Sequence, residues 1–247
     1  MGDIRVGIGG WTFEPWRGTF YPADLRQKDE LAYACQHLTT IEINGTYYRS
    51  QSPKTFAGWA DTAPDGFVFA VKASRYCTNR KVLGEAGESV DKFVKQGIAE
   101  LGAKLGPILW QFAPTKAFDA EDMGAFLALL PTSVDGVPLR HALEVRHESF
   151  RDPIFIDLAK NAGVAIVLAD HETYPLIDAA TTDFTYARLM RSVEEQPTGY
   201  TPDEINHWVD RAKEWATKGD VFAYFISGAK VRAPAAAQAL IGKLGGV

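Results

Sequence analysis

The sequence predicts an α/β fold, a closed (β/α)8 TIM barrel, and three observations lead there. Eight short β-rich runs alternate with amphipathic stretches along the chain, no glycine-rich dinucleotide fingerprint follows the first run, and polar residues gather where the runs end. Alternation of strand and helix implies parallel strands joined by right-handed crossovers. An open doubly wound sheet is the competitor, but "GIGGWTF" lacks the G-x-G-x-x-G spacing that such a sheet uses to hold a dinucleotide. With 247 residues and no linker, repeat or low-complexity segment, the barrel is expected to occupy one domain over 1–247.

The first run is "IRVGIGG" (4–10), followed by an aromatic loop and the helical pattern "KDELAYACQHL" (28–38). The second is "TTIEINGT" (39–46), and Ser52-Pro53 then caps a helix over "SPKTFAGWADTA" (52–63). "GFVFAVKAS" (66–74) leads to "SVDKFVKQGIAEL" (89–101), and "PILWQFAP" (107–114) leads to "EDMGAFLALL" (121–130). "HALEVRHES" (141–149) precedes "PIFIDLAKNAG" (153–163), whose Gly163 stops the helix. "VAIVLADH" (164–171) has no helical pattern behind it. "FTYARLMRS" (184–192) is followed by Thr201-Pro202 and Glu204, a capping box opening "TPDEINHWVDRAKEWATKG" (201–219), which Gly219 ends. "VFAYFISG" (221–228) and "APAAAQALIGKL" (233–244) complete the series.

The net charge is −5 and 46% of the residues are hydrophobic. No overall positive field recruits nucleic acid or an anionic membrane, so partners must be argued from a local site. The chain starts without a leader-like apolar segment and has no uncharged run of about 18 apolar residues, which implies a soluble cytoplasmic protein with no membrane partner. Cys35 and Cys77 lie far apart and offer neither a disulfide framework nor a metal-ligand spacing. There is no G-x-S-x-G elbow and no H-E-x-x-H, so simple serine hydrolases and zincins are excluded.

Residues near the carboxyl ends of barrel strands line the site-bearing face. There the sequence places Glu42, Asn44, Lys72, Gln111, Glu144, Arg146, Asp170 and Arg188, each after a largely apolar run. Because side chains alternate along a strand, Glu42 with Asn44 and Glu144 with Arg146 point inward together while Ile41, Ile43, Leu143 and Val145 face the helices. Three carboxylates and three cations could neutralise one another as a purely structural network. The surplus of Arg49, Arg75, Arg191 and His147 toward the loops instead tilts the mouth positive and points to an anionic ligand. Among the loop aromatics, Trp11, Tyr47 and Tyr48 are ligand-binding candidates, while Trp16 and Tyr21 are better read as packing under the loop. In "SGAKVRAP", Gly228, Lys230 and Arg232 precede a helix, a position where barrels often hold phosphate.

These residues predict an enzyme acting on a small phosphate- or carboxylate-bearing substrate. Glu42, Glu144, Asp170 and Lys72 are its catalytic candidates, and Trp11, Asn44, Tyr47, Tyr48, Arg49, Gln111, Arg146, His147 and Arg188 its binding candidates. No cofactor is expected. One alternative is a metal-dependent phosphoesterase in which Glu42, Glu144, Asp170 and His147 converge, although the neighbouring cations would repel a divalent ion. The other is a non-catalytic module for a nucleotide or a nucleic-acid backbone, which the acidic balance disfavours for long tracts.

The stretches "GIGGWTFEPWRGTFYP", "TTIEINGTYYRSQSPKTFAGWADTAPDGFVFAVKAS", "LGPILWQF" and "LEVRHESF" together resemble the YecE-like family, domain of unknown function seventy-two, over nearly the whole chain. The resemblance implies a TIM barrel and assigns no activity. It falls on Glu42, Asn44, Tyr48, Lys72, Gln111, Glu144, Arg146, His147, Asp170 and Arg188. The chain departs from the pattern at Met190, where similar proteins carry histidine, and at Ile226 and Ser227, where they carry paired asparagines.

Overall fold

The computed structural model describes residues 1–245. Nine parallel strands form one sheet: β1 (Ile4–Gly9), β2 (Thr40–Ile43), β3 (Val68–Lys72), β4 (Leu105–Gln111), β5 (His141–Glu144), β6 (Ala165–Ile166), β7 (Leu168–Asp170), β8 (Phe184–Leu189) and β9 (Asp220–Phe225). Their order is β6-β5-β4-β3-β2-β1-β9-β8-β7. The two outermost members are halves of one extended run interrupted at Val167, whose N–H donates to the carbonyl of Leu143 at 2.9 Å. The sheet therefore closes on itself, and the sixth predicted run is the seam: its first half pairs with β5 and its second with β8.

Among the described residues, seven helices of eight or more residues surround the sheet: α1 (Glu30–His37), α2 (Pro53–Thr62), α3 (Gly87–Val94), α4 (Ala120–Ala128), α5 (Pro153–Asn161), α6 (Pro202–Ala216) and α7 (Ala233–Leu244). The caps form as the sequence predicts, with the Ser52 side chain accepting from Thr55 N–H and the reciprocal Thr201–Glu204 box closing the start of α6. The helical pattern over 89–101 is broken: Gly97 adopts φ +113, and a short 3-10 segment, Ile98–Lys104, follows. A β-carbon at Gly97 would lie 2.6 Å from Pro53 Cα, so the chain turns there to let α2 pack closely. A two-residue hairpin pairs Ser133–Val134 with Val137–Pro138, with Asp135 and Gly136 at φ +48 and +80, the geometry of a type I′ turn. Among the described residues no helix is long and apolar enough to cross a membrane.

The alternation along the strands sorts the core into two regions. Ile41, Ile43, Leu143 and Val145 are buried in the outer layer against the helices, each worth about 2 kcal/mol relative to exposure. The barrel interior holds a separate apolar cluster that includes Val68, Ala70, Leu109, Phe184, Tyr186, Phe222 and Tyr224. At its amino-terminal end the Arg140 guanidinium lies 4.9 Å from the Phe222 ring and bonds Asp220 at 2.9 Å, closing that mouth. In the middle, the Thr40 hydroxyl donates to Val68 O at 2.6 Å and lies 2.9 Å from the Tyr224 hydroxyl. Above this packed floor the inward side chains become charged.

Candidate functional site

The uppermost interior layer is an ion network built by five strands. Arg188 of β8 is buried and donates to both carboxylate oxygens of Glu42 on β2, each at 3.1 Å, and to Glu144 on β5. Glu144 also accepts from Arg146 Nε at 2.5 Å, and Glu42 accepts from the Tyr186 hydroxyl at 2.7 Å. Both carboxylates have no exposed surface. Burial alone would push the Glu144 carboxyl up, but Arg188, Arg146 and Lys72 outweigh it and hold the group below the usual carboxylate range. For Arg188 the order is reversed: burial opposes its charge, and Glu144 and Glu42 more than restore it.

Gln111 joins the cations. Its Oε1 accepts from Lys72 Nζ at 2.8 Å, Arg146 Nη2 at 2.7 Å and Arg188 Nη1 at 3.2 Å. One neutral oxygen thus gathers three cationic side chains from β3, β8 and the segment after β5. Burial, and next the Arg188 charge, lower the Lys72 pKa to about 8. The Tyr47 ring covers this ammonium, with its centroid 4.4 Å from Nζ. Tyr47 is placed by a single helical turn, Gly45–Tyr48, which Thr46 anchors by donating to Lys72 O at 2.7 Å.

Over this layer lies an open cleft of about 750 Å³. Lys72, Gln111, Arg146 and Arg188 reach it from below, and Trp11, Asn44, Tyr47, Tyr48 and Arg49 border it, together with Lys230. Its lining holds five basic side chains and no acidic one. Gly9 leaves the wall open to its neighbours: a β-carbon there would sit 2.3 Å from Ile226 Cδ1 and 2.8 Å from Asn44 Nδ2, so both side chains would have to shift. Lys230 approaches the rim with its ammonium 4.3 Å from the Phe13 centroid. Arg232 turns away and donates to Glu194 O at 3.0 Å. Trp16 and Tyr21 are buried, with Trp16 Nε1 donating to Lys230 O at 2.9 Å and the Tyr21 hydroxyl donating to Trp11 O at 2.5 Å, so both support the loop.

Two expected members stand apart from the cleft. Asp170 ends β7 on its outer face: Leu168 belongs to the outer core and Ala169 packs inward with Met190 and Ile226, so the next side chain points outward again. Its carboxylate lies 3.8 Å from Arg191, and burial pushes its pKa up against that partner. His147 turns to Ser149, 2.8 Å from its hydroxyl, and caps the short helix Glu148–Arg151. Arg75 stacks on Tyr76 instead of entering the cleft. Among the described residues no three His, Cys, Asp or Glu side chains are grouped as a metal ion would require. Glu42 and Glu144 already spend their oxygens on Arg188, Arg146 and Tyr186, and Asp170 and His147 do not join them.

Tyr186 was not among the expected site residues, although it stands two positions before Arg188 on the same strand and shares its face. Tyr174 was also unforeseen. Its ring centroid lies 4.6 Å from the Arg146 guanidinium and it stacks on His171 at 3.8 Å, both within the helix-free loop after β7. Met190 and Ile226, the departures from the family pattern, make an apolar wall with Ala169, against which Tyr174 also packs.

The family model described as "Protein of unknown function DUF72" matches residues 5–246. Among solved structures, a DUF72 family protein from Thermotoga maritima is similar with 22% identity over 98% of each chain and a TM-score of 0.78. One from Enterococcus faecalis is similar with 18% identity over 99% of this chain and 98% of the other, at 0.76. The structure of SacUVDE shares 11% identity over the full length of both chains at 0.59. At these identities the likeness concerns the fold. No curated protein sequence matches the chain.

Proposed function

Because the chain belongs to the DUF72 family, which carries no assigned reaction, we infer from its own cleft that it is an enzyme acting on a small phosphate- or carboxylate-bearing substrate. The observation that carries this reading is the lining of the cleft, which holds five cations and no carboxylate in a chain whose net charge is −5. Three of those cations meet on Gln111 Oε1, where they are preorganised toward one point without ordering cost at binding. An anion placed there gives the three cationic donors a charged acceptor in place of a neutral one, adding ion-pair attraction to bonds whose donors are already in position.

The roles divide by exposure. Glu42 and Glu144 lie beneath the cations with no exposed surface, so they hold Arg188 and Arg146 in place and do not meet substrate. Lys72 faces the cleft, and its pKa of about 8 lets it gain or release a proton near neutral pH. That suits it to general acid–base work on a group held by Arg146 and Arg188. An arriving anion favours the ammonium form, so binding takes up a proton when it begins above that value. Tyr47 shields the ammonium from water, and the Trp11 and Ile226 walls offer apolar surface to the rest of the substrate.

Titration calorimetry with inorganic phosphate tests the reading. Binding is expected at pH 7, weakening above pH 8, and falling at least tenfold in Lys72→Met and Arg146→Met, about 1.4 kcal/mol or more. Equal phosphate affinity in wild type and both variants would remove the basis for an anion site.

A further inference from the structure

A second cleft of about 450 Å³ opens beside the first, and Arg49 lines both. The other basic groups in its lining are Arg80 and Lys92, with hydroxyls from Ser50, Ser74 and Ser89, the ring of Tyr76, and one acid, Glu88. Arg80 is held in place by its bond to Glu85 O and by Ser89 Oγ at 3.4 Å, while its Nε is buried without a partner. Each cleft has one large exposed ring in its lining, Tyr48 at 65% in the first and Tyr76 at 63% in the second. The Arg75 guanidinium lies 5.4 Å from the Tyr76 centroid. Exposed tyrosine rings beside cations offer flat faces on which a planar ligand group can stack.

A lone phosphate or small carboxylate fills the first cleft's cationic floor and leaves the second without a use. Cations and hydroxyls spaced along a groove, with rings offered to solvent between them, suit a chain that carries one negative charge and one flat ring per unit. We propose that the substrate is a short single-stranded phosphodiester chain, one phosphate of which rests on Lys72, Arg146 and Arg188 while the adjoining nucleotides pass Arg49 into the second cleft. This rests on the anion-binding reading of the first cleft. The contacts are to phosphates and ring faces, which makes recognition tolerant of base sequence. The acidic charge of the whole molecule limits the engaged stretch to a few phosphates.

Fluorescence anisotropy with a labelled tetrathymidylate, set against phosphate calorimetry on the same protein, tests this. The oligonucleotide should bind at least tenfold tighter than inorganic phosphate. Its affinity should fall with salt at a log–log slope of about −1.4 or steeper, from two or more phosphates at about −0.7 each. The double variant Lys92→Ala, Tyr76→Ala, both exposed positions, should weaken the oligonucleotide about tenfold and leave phosphate unchanged. Normal phosphate binding with an oligonucleotide no tighter than phosphate, or one indifferent to the double variant, overturns the proposal. So does a tetraglutamate peptide that binds as tightly, since it brings charge without rings. Failure of phosphate itself to bind sinks the reading of the first cleft instead.

Discussion

Replacing Lys72 by methionine should make the protein more stable while destroying its anion site. The folded environment lowers the lysine pKa from 10.5 to about 8, first through burial and then through Arg188. At about 1.36 kcal/mol per pH unit, keeping that ammonium charged inside the barrel costs about 3 kcal/mol relative to the unfolded chain. The attraction of Glu42 and Glu144 is already included in that balance. Methionine fills a similar volume without charge, and Gln111 Oε1 keeps its bonds to Arg146 and Arg188. Between pH 8 and 10.5 the unfolded chain still holds the proton that folded Lys72 has released, so wild-type stability rises with pH in that window. The gap between variant and wild type should therefore be about 2 to 3 kcal/mol at pH 7 and close toward pH 10.5. Tyr186, Tyr200 and Tyr224, all pushed up by burial, act in the opposite direction at alkaline pH, but they do so in both proteins and cancel in the difference. Urea unfolding of both proteins at pH 7, 9 and 10.5 measures it. A variant less stable than wild type at pH 7, or a gap that does not change with pH, would mean that the buried Lys72 charge does not cost stability.

Arg188→Met leaves Glu42 and Glu144 buried without their shared partner and should cost about 3–5 kcal/mol, a large part of a typical total of about 5–15; the urea midpoint at pH 7 checks this. Glu144→Gln tests the opposite sign of linkage. The depressed carboxyl contributes stability that is present above the ordinary carboxylate range and lost as pH falls through it, so wild type should weaken below about pH 4 more steeply than the variant in acid titrations followed by circular dichroism. Cys35 and Cys77 are buried, and burial pushes both thiols up to about 12, so a disulfide reagent at pH 8 should label neither in the folded protein and both in denaturant. Rapid labelling of either before unfolding would contradict the packing described.

Strands that carry charge at every second position reveal their faces, which is why Glu42, Glu144 and Arg146 were legible before any coordinates. "VAIVLADH" gives no such signal. It is apolar on both faces until Asp170, and the structure shows Val167 and Ala169 inward, leaving Asp170 outward toward Arg191. That parity could not be read because the run offers no polar contrast. The seam at Val167 is invisible for the same reason: an interruption in pairing leaves no mark in side-chain type. The hairpin around Asp135 and Gly136 did carry a turn signal, "VDGV", but its two-residue strands fall below the length at which alternation can be seen. In the sequence His147 extends the polar set toward the loops and so counts as a site group, and only the turn after β5 decides that it caps a helix. Tyr174 reaches Arg146 from a loop without periodicity, so chain geometry alone brings it there.

Lys72, Arg146 and Arg188 jointly offer one anion-binding point above the buried glutamates. A crystal structure of the protein grown with millimolar phosphate tests it most directly. Phosphate oxygens should lie within hydrogen-bonding distance of Lys72 Nζ and an Arg146 or Arg188 nitrogen, beneath the Tyr47 ring. Phosphate found elsewhere on the molecule, with those three side chains still turned only to Gln111 and the glutamates, would contradict it.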